Sequence, residues 1–153
     1  MTERERKVLE AMAALCARSE QCESDLRRKM RSRGVEAEEA DAVIDYLYEH
    51  RFLDTDRYAG AYVRDKLRHS HWGRIRLRMA LAAKRIPAHS AAAALESIDE
   101  AEYRGVVALL VERAARTMDL DDAAERRKLT RRLYARGFEP GLTAEIIAEV
   151  REA

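Results

Sequence analysis

Leu77-Arg78-Met79-Ala80-Leu81-Ala82-Ala83-Lys84-Arg85-Ile86 is the middle one of three copies of a single pattern. Leu26, Met30, Arg33-Gly34 and Val35 form the copy before it, and Leu129, Leu133, Arg136-Gly137 and Phe138 the copy after it. In each, an apolar residue lies four after the first, a basic residue seven after and an apolar residue nine after. A second apolar set then recurs at one register: Val43, Ile44 and Leu47; Ala94, Leu95 and Ile98; Ile146, Ile147 and Val150. Fours and sevens are helical spacing, and a period of roughly fifty residues is the mark of a helical repeat whose units need neighbours to bury their faces. The expected fold is therefore all-α: three tandem three-helix bundles, at 1–54, 55–99 and 100–153, in an elongated, curved array. Function in such an array is expected along an extended surface rather than in one deep pocket.

Outward from that stretch, helical boundaries follow from local chemistry. Helix one of the first repeat is expected from Val8 to about Ala17, and helix two from Ser24 or Asp25, either of which could cap it, to Gly34. Helix three is expected from about Glu38 to Glu49, with acids leading as the macrodipole favours. In the second repeat Asp54-Thr55-Asp56 supplies capping side chains, Trp72-Gly73 breaks the pattern, helix two runs from Arg74 to Lys84 and Pro87 fits the start of helix three. In the third, the first helix (about Glu102 to Met118) is expected to be the longest, and Glu139-Pro140-Gly141 to separate the last two. Arg85 stands where the other copies have Gly34 and Gly137; a left-handed turn there would cost a non-glycine residue about 1 kcal/mol, or the helix ends differently.

Composition narrows the function. The 153 residues are 37% charged and 6% aromatic, with a net charge of +1, so the sum conceals local fields. Arg64 to Arg85 holds eight basic residues and the single acid Asp65, whereas Glu36 to Asp56 holds eight acids and the single base Arg51. Cys16 and Cys22 make neither a disulfide framework nor a zinc motif, and suit a reducing cytosol. No apolar stretch follows the charged residues Met1 to Lys7, and no run suggests a membrane span. His50, His69, His71 and His89 fit no catalytic or metal template, and no phosphate loop or nucleophile elbow is present. Neither catalysis nor a cofactor or metal is expected.

The positive signal is basic. Arg27 and Arg31, Arg74 and Arg78, and Arg127 and Arg131 are i, i+4 pairs on helix two of successive repeats, and Arg85 falls in the same arc as Arg74 and Arg78. These seven are the candidate contact residues for a partner or for DNA, and Trp72 beside them could stack or close the central core. Reversing Arg74 and Arg78 together is expected to leave folding intact. The helix after the turn is acidic, which disfavours major-groove reading in the manner of a helix-turn-helix protein.

The stretch Tyr46-Leu47-Tyr48-Glu49-His50-Arg51-Phe52-Leu53-Asp54-Thr55-Asp56-Arg57-Tyr58-Ala59-Gly60-Ala61-Tyr62-Val63-Arg64 resembles the best-marked segment of the bacterial RecX regulatory proteins. The likeness continues through Gly73-Arg74-Ile75-Arg76, Leu81 and Lys84-Arg85-Ile86, where the family typically has Lys-Gly-Ile. The resemblance implies a cytoplasmic, monomeric modulator that binds the RecA–DNA filament and restrains its ATPase, coprotease and strand-exchange activities in DNA repair and SOS control. Two other readings stand beside it: a helical protein binding DNA backbone on its own, and a structural helical adaptor whose basic and acidic faces pair internally.

Overall fold

Thr2 starts the fold. Its hydroxyl accepts from the Glu5 N–H while the Glu5 carboxylate accepts from the Thr2 N–H, and this reciprocal cap begins α1 (Glu3–Arg18) five residues earlier than Val8. The computed structural model covers residues 1–153. It continues with α2 (Glu23–Ser32), α3 (Ala37–Glu49), α4 (Thr55–Asp65), α5 (Arg74–Ala83), α6 (Ala88–Glu96), α7 (Glu100–Ala115), α8 (Ala123–Ala135) and α9 (Pro140–Glu152). No strand is present, and the helices form an elongated array of three-helix units. Within each unit helix one lies against helix three, and helix two against helix three: α1 and α2 on α3, α4 and α5 on α6, α7 and α8 on α9.

The repeat register is realised in burial. Leu26, Leu77 and Leu129 are 0%, 0% and 1% exposed, so one face of helix two is turned inward in every unit. Met30, Leu81 and Leu133 follow one turn later, and Val35, Ile86 and Phe138 close the turn beneath them. Two cores result. Nine buried residues, from Met12 to Leu53, fill the first unit, while a second core of 22, Cys22 and 21 residues from Tyr58 to Ile147, runs through α4 to α9.

Several local expectations are corrected. Cys22, not Ser24 or Asp25, stands at the cap position of α2, and it makes no side-chain cap. The Ser24 hydroxyl instead donates to the Lys84 carbonyl (2.7 Å), and the Asp25 carboxylate accepts from Lys84 Nζ (2.9 Å). Residues with capping chemistry were thus taken up by the neighbouring unit. Pro140 is the first residue of α9 rather than part of a spacer, and α7, at 16 residues, is no longer than α1; Pro87 stands where expected, at the entry of α6. Past α4 the chain widens into a π-helical turn, Lys66–Ser70, which ends on left-handed His71 (φ 54°).

The left-handed turn at Arg85 is settled. Its φ is 60°, beside 77° at Gly34 and 99° at Gly137, so the middle copy keeps the backbone of the others and bears the strain. The two joints explain why it can. Each seats the first turn of helix two on the carbonyl that ends helix two of the next unit. Between units two and three the contact is backbone to backbone: the Gly73 N–H donates to the Arg136 carbonyl (2.8 Å) and the Ile75 N–H to the Gly137 carbonyl (3.0 Å). A Cβ on Gly73 would run into the Gly137 carbonyl group, and one on Gly137 would lie 2.5 Å from the Arg76 Cβ. Between units one and two the Ser24 side chain spans the gap, and the longer reach leaves room for a Cβ at residue 85.

Candidate interaction surface

The salt-bridge pattern divides the seven candidate arginines. Arg27 joins two helices of its own unit, with Nε on Glu23 (2.8 Å) and Nη1 on Asp41 (2.8 Å), and these carboxylates hold its guanidinium above its ordinary pKa. Arg74 is taken up further still. Its Nη1 donates to Glu139 (3.0 Å), its Nη2 to Glu100 (2.5 Å), and its guanidinium carbon lies 3.8 Å from the centre of the Tyr103 ring. Burial alone would lower the Arg74 pKa, and the hydrogen bonds to Glu139 and Glu100 outweigh it. The Arg74 N–H also donates to the Tyr103 hydroxyl, which in turn donates to Glu139. Arg74 is therefore a clamp between units two and three, and the expectation of an open Arg74–Arg78 pair is corrected on that point.

Arg31, Arg78, Arg85, Arg127 and Arg131 are exposed, and none makes an ion pair. A free guanidinium on a helix face retains its full capacity for an outside anion. The fold gathers them unequally. Arg27, Arg31 and Arg85 line one cleft of about 480 Å³ at the joint of units one and two, together with Arg28 and Lys84. Arg127 and Arg131 line a groove of similar volume between α8 and α9, floored by Ala123, Ala144, Ile147 and Ala148. Arg78 lines neither.

Trp72 is half-buried against the large core, at the joint of units two and three. Lys66 Nζ lies 5.0 Å and the Arg76 guanidinium carbon 4.0 Å from its ring centre. His71 beside it is held below the ordinary imidazole pKa, first by burial and then by Arg113, Arg136 and His69.

Three residues not singled out by sequence share this region: Arg76, Met79 and Tyr134. Arg76 follows Trp72 by four, a spacing that on a continuous helix would have suggested a stack. Met79 and Tyr134 are exposed apolar residues off the buried stripe, two after Leu77 and one after Leu133. Such lone exceptions are ordinary in sequence and become informative only once the fold brings them together.

Comparison with known proteins agrees with this geometry. Residues 9–47 match the family model described as RecX, first three-helix domain, and residues 56–95 the model described as RecX, second three-helix domain. A regulatory protein RecX of Stenotrophomonas maltophilia is 31% identical over 136 residues, which cover 89% of this chain and 82% of that protein. One from Xanthomonas axonopodis pv. citri is 29% identical over 89% of this chain and 83% of its own length. The crystal structure of RecX from Lactobacillus salivarius superposes over the whole of both chains with a TM-score of 0.87 at 20% identity, which speaks for the fold. With helix-two leucines buried alike in three successive units and both domain models matching in order, the chain belongs to the RecX family.

Proposed function

We propose that this protein is a non-catalytic regulator that binds the RecA–DNA filament and slows its ATP hydrolysis, with restraint of the coprotease and strand-exchange activities following from the same contact. Membership of a family whose relatives are named regulatory protein RecX carries the reading. The geometry suits it. Units repeated along one axis, 1–54, 55–99 and 100–153, can meet successive subunits of a helical polymer, and several weak contacts on one body act with high effective concentration. Unpaired arginines on each unit supply charge for those contacts, and no helix is long and apolar enough to cross a membrane. A monomer acting in the cytoplasm, without cofactor, completes the proposal.

The test is RecA ATP hydrolysis on single-stranded DNA with this protein at saturation. A clear fall in rate is expected; an unchanged rate overturns the proposal. The unpaired arginines also favour a second reading, direct binding to DNA backbone. Its sign would be affinity for bare single strands that falls steeply with salt in the absence of RecA.

A further inference from the structure

Met79 and Tyr134 are 69% and 54% exposed, more than any other large apolar side chain in the molecule. They belong to different units, yet both line one hollow of about 460 Å³ over the joint of units two and three. α5 supplies Ile75, Arg76, Met79 and Ala80, the end of α8 supplies Tyr134 and Ala135, and Trp72 closes one side. The backbone hydrogen bonds from Gly73 and Ile75 to Arg136 and Gly137 lock the two walls together, so the hollow is formed before any ligand arrives.

Its chemistry is that of a protein contact. Trp, Tyr, Met and Arg are the side chains enriched where protein interfaces are fully buried, and methionine adapts its shape to what it meets. The electrostatics give the sign of the partner. No acid lines the hollow, and α5 contains none. Arg76 has no carboxylate partner, and unpaired Arg78 and Arg131 stand within one turn of Ile75 and Ala135 on their helices. A nucleic acid fits less well. The Trp72 ring already carries Lys66 and Arg76, and the aliphatic floor of Ile75, Met79 and Ala80 offers no platform for successive bases.

We infer that this hollow seats a protruding apolar side chain from an acidic segment of the filament protein, with Arg76, Arg78 and Arg131 meeting the flanking carboxylates. The inference rests on the function proposed above and names the surface through which that function would act.

The test compares the wild type with the Met79→Ser, Tyr134→Ser double variant and with Leu109→Ser, an exposed apolar position on α7. Affinity is measured for RecA filaments on single-stranded DNA and, separately, for the bare strand, with melting recorded for each. The double variant is expected to lose filament affinity at least tenfold while its bare-strand affinity and melting hold; Leu109→Ser should match the wild type. A folded double variant with normal filament affinity overturns the inference and leaves the proposed function standing. Equal losses toward filament and bare strand would make the hollow a nucleic-acid site, which also overturns it. A wild type that does not bind filaments removes both. Should the double variant melt early, Met79→Ser alone gives the same readings, since so exposed a side chain carries little of the fold.

Discussion

At the scale of single residues, the array shows where strain is tolerated and where it is not. Arg85 holds a left-handed backbone without being glycine. Arg85→Gly removes that strain but gives the unfolded chain more freedom, so a net gain of about 0.5–1 kcal/mol is expected, a rise in Tm of about 1–4 °C. Gly34 and Gly137 share the turn but not its surroundings. A Cβ on Gly34 meets nothing within 4 Å, so Gly34→Ala should cost only the backbone term of about 1 kcal/mol. Gly137→Ala adds a clash with Gly73 and Arg76 and should cost roughly 2–4 kcal/mol by denaturant melts. Thr143 is the counterpart of Ala40 and Ala91 in the register, and its hydroxyl is buried with no hydrogen-bond partner. Thr143→Val keeps the shape and removes the orphan, and is expected to stabilise by about 1 kcal/mol in the same measurement.

At the scale of elements, the helices were legible in sequence and the joints were not. Apolar spacing placed all nine helices because periodicity is local, and the buried leucines fell where the register put them. Ser24, Asp25 and Arg74 misled for the same physical reason: each has chemistry that could serve its own helix or solvent, and each also reaches an adjoining unit, Asp25 while keeping its pair with Arg28. The π-helical turn and left-handed His71 left no mark in composition. Singly, Arg74 and Arg78 of α5 should now behave differently. Arg74→Ala leaves Glu139 and Glu100 without their cation and should cost about 1–2 kcal/mol, a value tempered by the partial exposure of the cluster. Arg78→Glu should stay within about 0.5 kcal/mol in melting. The joints also set an acid limit. Burial would raise the Glu139 and Asp25 carboxyls, but hydrogen bonds from Tyr103 and Arg74 to one, and from Lys84 and Arg28 to the other, hold both below their ordinary values. A depressed carboxyl stabilises the fold in full above its unfolded-state pKa, and the contribution fades as pH falls through the folded value. Stability should therefore decline below about pH 4.5, and Glu139→Gln should flatten that decline in melts taken across the acid range.

At the scale of the molecule, the two joints differ in kind. Units two and three share one apolar core and a backbone seam, whereas units one and two meet through Asp25–Lys84, Glu20–Arg57 and the Ser24 hydroxyl, with Cys22 alone reaching the larger core. Salt screens the polar joint more than the apolar one. Amides of α1 to α3 should exchange sooner than those of α4 to α9, and the gap should widen with added salt. The same asymmetry gives the molecule a mechanical direction. Stretched by its two ends, it would not yield as one body: the first unit would peel away and extend at low force, and the fused pair would rupture later in a single larger event. A molecule built so has a compliant arm on a stiff base, and a pull on its first unit would extend that arm without dislodging the base.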